Sequence, residues 1–311
     1  MKKELLYSLP SLYREEMKIY GYQFGQGKKS VCIVGAMRGN EIQQMYICSQ
    51  LVDTLKELEE KGALVEGYEI MVIPSVNPYS MNIGKRFWAS DNTDINRMFP
   101  GYDKGETTQR VADGLFQVVQ EYEYGLQFTS FYIPGDFVPH VRMMDTGIQN
   151  PSMAEMFGLP YAVIRTPRPY DTTTLNYNWQ IWNTHAFSIY TGSPDRVDQE
   201  EAAAGISAVL RFLIRLGIVR YTIHQGYIAS LIREQELENV RTDCPGICCR
   251  MAEPGQEIHQ GQLLAVITDP CEGKIVSQIY SPTDGIVFFA CASALVMEGT
   301  MVYRIIRYLH V

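Results

Sequence analysis

Between residue 30 and about residue 220, short apolar runs alternate with longer stretches of helical periodicity, and few architectures accept that order. Ser30 to Val34 reads as a buried strand, and from Ile42 to Lys61 the apolar residues recur at helical spacing. Glu69 to Pro74 is a second strand, and Glu106 to about Gln120 a second helix. Tyr161 to Arg165 and Ala186 to Tyr190 follow as strands, before a helix from Gln199 to Leu216 that gathers Ala, Val, Leu and Phe on one face. The pattern predicts an α/β domain with its sheet sandwiched between helices. Asn77 to Pro100 reads as one long loop, and long loops in compact domains often carry function.

Beyond about residue 225 the texture changes to short strands punctuated by glycine and proline. The chain is therefore read as a domain over 1–225 and a smaller β domain over 226–311. The second part holds a weak internal repeat: Ile258-x-x-Gly261 before Leu263-Leu264, echoed by Val296-x-x-Gly299 before Met301-Val302. With the turn Ser281 to Gly285 between the halves, it resembles the barrel-sandwich fold of biotinyl and lipoyl domains. A carrier would present a lysine in that hairpin. Thr283-Asp284-Gly285 stands there instead, so the resemblance is structural only.

A chain of 311 residues can bury a sizeable core in one large domain or two unequal ones. Its net charge of -8 argues against a nucleic-acid partner, which would require a basic face to neutralise phosphates. No apolar run approaches the roughly 20 residues of a membrane span. Leu5-Leu6 behind Met1-Lys2-Lys3 is too short for a signal-peptide core, so the chain is read as cytoplasmic. Seven cysteines, an odd number, fit that compartment. Cys244, Cys248 and Cys249 lack the second ligand pair of a zinc ribbon and read as incidental thiols. A homo-oligomer is left open.

Two stretches carry the chemistry. The turn after the first strand reads Val34-Gly35-Ala36-Met37-Arg38-Gly39-Asn40-Glu41, a glycine-containing turn that delivers a carboxylate at the start of a helix. The long loop holds Asn77-Pro78, Gly84-Lys85-Arg86-Phe87, Asp91, Asp94-Ile95-Asn96-Arg97 and Phe99-Pro100-Gly101. By residue type, Arg97 offers a bidentate fork for a carboxylate and Asn96 adds an amide donor. Arg86, pointing inward, would stabilise an oxyanion. The competing reading is a structural Asp94–Arg97 ion pair capping the loop. The ordered block favours a site for a small carboxylate-bearing ligand.

These blocks resemble the signatures of the succinylglutamate desuccinylase/aspartoacylase family, zinc carboxypeptidase-like hydrolases. The family writes the first as Gly-x-x-His-Gly-Asn/Asp-Glu and the second as Asn-Pro…Gly-x-Arg…Asp-Leu-Asn-Arg-x-Phe-Pro-Gly, which differs here only by Ile95 for Leu. The resemblance implies a zinc carboxypeptidase-like mixed sheet between helices, followed by a small β domain. It implies hydrolysis of an amide bond in a small N-acyl amino acid. It also implies zinc on the His and Glu of the first motif, carbonyl polarisation by Arg86, and a grip on the substrate carboxylate by Asn96 and Arg97.

This sequence departs from the family at the metal. Arg38 stands at the His position of the first motif. Aligning Leu126-Gln127-Phe128-Thr129 with the family's Asp-Leu-His-Thr puts Phe128 at the last ligand. In Ala186 to Gly192, Tyr190 takes the place of the general-base glutamate. A protonated arginine has no lone pair for zinc. A tyrosine near its reference pKa of about 10 donates a hydrogen bond but takes no proton at neutral pH. Only Glu41 remains, so zinc, the family's cofactor, is doubtful here. Arg38 is expected either to pair with Glu41, filling the metal's place with a guanidinium that orients a substrate anion or polarises a carbonyl, or to be a solvated surface charge. Pro139-His140-Val141-Arg142 matches a Pro-His/Gln-Val-Arg run of relatives and puts His140 and Arg142 on one side of a strand. His140 is then a hydrogen-bonded site histidine or a substitute ligand. No Gly-x-Ser-x-Gly elbow, phosphate loop or His-Glu-x-x-His competes. Two functions follow: an amide-bond hydrolase with an altered metal site, or a metal-free pseudoenzyme that binds a small carboxylate.

Overall fold

The computed structural model describes residues 1–12, 15–148 and 150–308. The chain divides into two compact units, one of Met1–Ser130 with Pro139–Leu231, the other of Phe131–Val138 with the residues from Ile232 onward. The break thus falls at 231/232 where the sequence reading put 225/226, and residues 131–138 belong with the second unit.

The strands of the first unit are β1 (Lys2–Leu9), β2 (Met17–Gly25), β3 (Gly27–Ala36), β4 (Gly67–Ser75) and β5 (Tyr124–Phe128). After β6 (Gly135–Phe137), which belongs to the second unit, come β7 (His140–Met144), β8 (Tyr161–Arg165), β9 (His185–Tyr190) and β10 (Ser230–Arg233), the last of which contains the 231/232 break. Among the described residues they form a nine-stranded sheet in the order β1-β2-β4-β3-β5-β9-β7-β8-β10. The central strands β4, β3, β5 and β9 run parallel, while β1, β2 and β7 join antiparallel. The sheet is mixed, as the sequence implied.

Its helices are α1 (Ile42–Glu60), the one-turn α2 (Pro78–Met81), α3 (Thr107–Val119), α4 (Leu175–Ile181) and α5 (Gln199–Arg215). Central strands buried on both faces show alternating destinations for successive side chains. Val31 and Ile33 enter a core with Ile47, Leu51 and Leu55 of α1 and Val209 and Phe212 of α5. Cys32 and Val34 enter the opposite core, with Val111, Leu115 and Val119 of α3 and Trp179 of α4. On α1, Ile47, Leu51, Leu55 and Leu58 lie three or four residues apart, with Cys48 beside them, so one stripe of that helix is buried.

The second unit holds two antiparallel sheets. One has the order β11 (Leu237–Arg241), β18 (Met301–Arg307), β16 (Gly285–Cys291), β13 (Glu257–Ile258), with β6 also on β16. The other runs β15 (Ile275–Tyr280), β14 (Leu263–Thr268), β12 (Gly246–Arg250), β17 (Leu295–Val296). The repeat read from the sequence recurs in the hydrogen bonding. Gly261 N–H donates to Ser281 O while Ser281 N–H donates to Gln262 O, and Gly299 N–H donates to Thr242 O while Thr242 N–H donates to Thr300 O. Both glycines sit at positive φ, 80° and 77°, which is why each half needs a glycine at that turn.

Candidate functional site

The parallel strands β3, β5 and β9 end at Ala36, Phe128 and Tyr190, and in open α/β sheets ligands bind beyond such carboxyl ends. The turn after β3 is closed by the Glu41 carboxylate, whose Oε2 accepts from the N–H groups of Met37 at 2.9 Å and Arg38 at 3.0 Å. Oε1 accepts from Arg38 Nη1 at 3.0 Å, from Ser130 N–H at 3.1 Å and from Ser130 Oγ at 2.6 Å. Glu41 is fully buried. Gly39 is required for a different reason: a Cβ there would lie 2.2 Å from Lys85 O, where the long loop crosses the turn.

Arg38 is buried and reaches two carboxylates. Besides Glu41, it donates from Nε at 3.1 Å and Nη2 at 2.8 Å to Asp94 Oδ2, and from Nη1 at 3.4 Å to Ser130 O. Burial opposes its charge, but Glu41 and Asp94 outweigh burial and raise its pKa further. Arg38 is therefore the expected partner of Glu41 and not a solvated surface charge. Asp94 Oδ1 caps the N–H of Asn96 at 3.0 Å, so Asp94 pairs with Arg38, and the proposed Asp94–Arg97 pair is replaced by Arg97 against Asp171 at 3.7 Å. Half-buried Arg86 lies in the field of this group. Its own burial and then the charge of Arg38 lower its pKa, against an opposing pull from Glu41 and Asp94.

Phe128 does not stand at a ligand position. It is fully buried in the core shared by α1 and α5, on the face of β5 turned away from the buried polar row of Gln127. The residue from the end of β5 that reaches Glu41 is Ser130. Ser130 lies two residues on, past the end of β5, so an alignment that put the ligand at Phe128 missed it.

Gln127, Ser188 and Arg142 are register partners in one row across β5, β9 and β7. Gln127 Nε2 donates to Asn96 Oδ1 at 3.4 Å, and Asn176 Nδ2 donates to Ser188 Oγ at 3.1 Å. Asn96 thus contributes its carbonyl oxygen to internal structure, accepting also from Leu175 N–H at 3.3 Å. Two register pairs along, on the same face, His140 stands against Tyr190, their rings stacked with centroids 4.9 Å apart and planes at 6°. The Arg142 guanidinium lies 4.5 Å from the centre of the Tyr190 ring and 3.4 Å from His140 Nε2. His140, Arg142 and Tyr190 therefore assemble as one stack, with His140 and Arg142 buried and Tyr190 half-buried. His185 stands at the opposite end of β9, stacked on Tyr124, too far along the strand to join them.

One further group was not read from the sequence. Arg97, Arg165 and Arg168 lie 5.7, 5.7 and 6.0 Å from the centre of the Tyr170 ring. Arg97 donates to Tyr170 O at 2.7 Å, Arg168 to the Tyr170 hydroxyl at 2.7 Å, and Arg165 to buried Asp171 at 2.6 Å. The available signal was the spacing Arg165-Thr166-Pro167-Arg168-Pro169-Tyr170-Asp171.

These donors do not fit zinc. An ionised carboxylate offers about four lone-pair sites. Glu41 already accepts five hydrogen bonds, from two backbone N–H groups of its own turn, from Arg38, and from the N–H and hydroxyl of Ser130. Among the described residues no three His, Cys, Asp or Glu are grouped to hold a metal ion.

Residues 27–214 match the model of the succinylglutamate desuccinylase/aspartoacylase catalytic domain. The N-alpha-acetyl-L-2,4-diaminobutyric acid deacetylase of Halomonas elongata is 22% identical over 274 residues, covering 83% of this chain and 72% of that one. A succinylglutamate desuccinylase from a Silicibacter species superposes with TM-score 0.84 at 17% identity, over 98% of this chain and 94% of that one. The product-bound ectoine utilization protein EutE (DoeB) from Ruegeria pomeroyi gives 0.80 at 18% identity, over 96% and 93%. With its mixed sheet, its ordered Asn96-Arg97 block and a catalytic-domain match over more than half its length, this chain belongs to the succinylglutamate desuccinylase/aspartoacylase family of amide-bond hydrolases.

Proposed function

We propose that this chain takes a small N-acylated amino acid, the substrate class of its family's amide-bond hydrolases, and holds it by its carboxylate beside Arg97. The observation that carries this reading is the arginine group around Tyr170. Three guanidiniums, Arg97, Arg165 and Arg168, gather around this one ring, and Arg97 and Arg165 both pair with buried Asp171. Guanidinium is the side chain best shaped for a carboxylate, and here three of them converge. Arg86 would then polarise the scissile carbonyl, and Tyr190, steadied by His140 and Arg142, would donate a hydrogen bond.

No residue in this arrangement generates hydroxide as a metal does. That favours a second reading, a relative that binds the acylated amino acid without turning it over, because Glu41 is saturated and a phenol replaces the family's base. Nuclear magnetic resonance of N-succinylglutamate and N-α-acetyl-2,4-diaminobutyrate with the purified protein separates the two. Release of succinate or acetate supports the hydrolase, and saturation transfer without release supports the binder. No interaction with either compound overturns both. For whichever compound binds, Arg97→Ala should weaken affinity by about tenfold or more, since a charge-assisted hydrogen bond contributes about 1.5–3 kcal/mol.

The two-sheet second unit, with its duplicated strand–turn–strand hydrogen bonding, supports reading it as a barrel-sandwich domain without a carrier lysine. Free thiols at all seven cysteines support a reducing, cytoplasmic setting. No helix among the described residues is long and apolar enough to cross a membrane.

A further inference from the structure

We propose that Arg38 is a permanent internal cation that makes this site metal-independent, tying together three segments with a guanidinium alone. Those segments are the 37–41 turn, the loop carrying Asp94 and the end of β5 at Ser130. A guanidinium has five N–H donors in a rigid fork. Four contacts are made here, two to Asp94 Oδ2, one to Glu41 Oε1 and one to Ser130 O. The fork is therefore nearly spent on the protein. Its charge is spent as well: one guanidinium against Glu41 and Asp94 leaves a formal excess of one negative charge, which Arg86 alongside balances.

On this proposal Arg38 holds the site together and does not present its charge to a ligand. A cation enclosed by two carboxylates offers little field to a developing oxyanion. The inference rests on the contacts of Arg38 and not on the ligand assigned above.

The test uses the unaltered full-length protein. It would be produced in zinc-supplemented medium, dialysed, and assayed for metal by mass spectrometry and for zinc uptake by calorimetry. Its melting temperature would be recorded with and without a chelator. The proposal expects no stoichiometric zinc, no saturable zinc isotherm and an unchanged melting temperature in chelator. Stoichiometric zinc, or a melting temperature that falls in chelator, overturns it. Arg38→Met should then lower the melting temperature, and Arg38→Lys, which keeps the charge but not the fork, should recover part of it. An Arg38→Met protein that melts with the parent would also overturn the proposal. Should that variant fail to fold, the measurements on the parent protein decide alone, and none of them requires a ligand.

Discussion

At the scale of single residues, the burial of Glu41 sets the terms. A carboxylate removed from water persists as an ion only while its hydrogen bonds and its counter-charge persist. Removing one partner of a buried ion pair costs about 3–5 kcal/mol. Arg38→Met, which strands Glu41 and Asp94 together, should lose stability of that order, read as a shift in the midpoint of urea denaturation at constant slope. The corrected position of Phe128 sharpens a second expectation. Arg38→His with Phe128→His would bury an imidazole in the apolar core and bind no zinc. Arg38→His with Ser130→His puts two imidazoles beside Glu41, completing the three protein ligands a catalytic zinc normally has. Calorimetric titration with zinc should give a saturable isotherm for the second pair only.

At the scale of elements, the strong periodicities were legible and the register was not. The runs at 30–34, 69–74, 161–165 and 186–190 are strands, and the helices at 42–61, 106–120 and 199–216 end within a residue or so of their expected limits. Each buries a long apolar stripe or run, a pattern that needs no knowledge of neighbours. The β1–β2 hairpin was not read, because β1 is an edge strand whose residues are nowhere fully buried, which blurs alternation. Nor was β6 read, three residues that pair with β16, about 150 positions later in the chain. The Asn-Pro of the long loop proves to be a helix start: Asn77 Oδ1 accepts from Ser80 N–H at 3.1 Å, with Pro78 at the first helical position. Asn77→Ala should therefore cost about 1 kcal/mol, measured by thermal denaturation, and act on the loop's placement before it acts on any ligand.

At the scale of the whole chain, burial sorts the seven thiols. Cys32, Cys48 and Cys291 are buried, and burial pushes the Cys32 and Cys48 thiols up, far from reactive thiolates. Cys249 and Cys271 are exposed. Intact-mass analysis after brief iodoacetamide treatment should find Cys249 and Cys271 alkylated and Cys32, Cys48 and Cys291 untouched until denaturant is added. Family membership was legible from the ordered 77–101 block, because a loop signature survives as a string of residue types. The state of the site was only half legible. Its cation could be named from Arg38 and Glu41, whereas Asp94 and Ser130 join it through contacts 56 and 89 positions apart. That closed quartet has an evolutionary consequence. Changing position 38 alone strands two carboxylates, and changing position 130 alone sets an imidazole against a guanidinium. Both single steps lie uphill of either endpoint, so the substitutions are strongly epistatic. Neither substitution alone would carry this quartet to a zinc site, so the two positions have to change together.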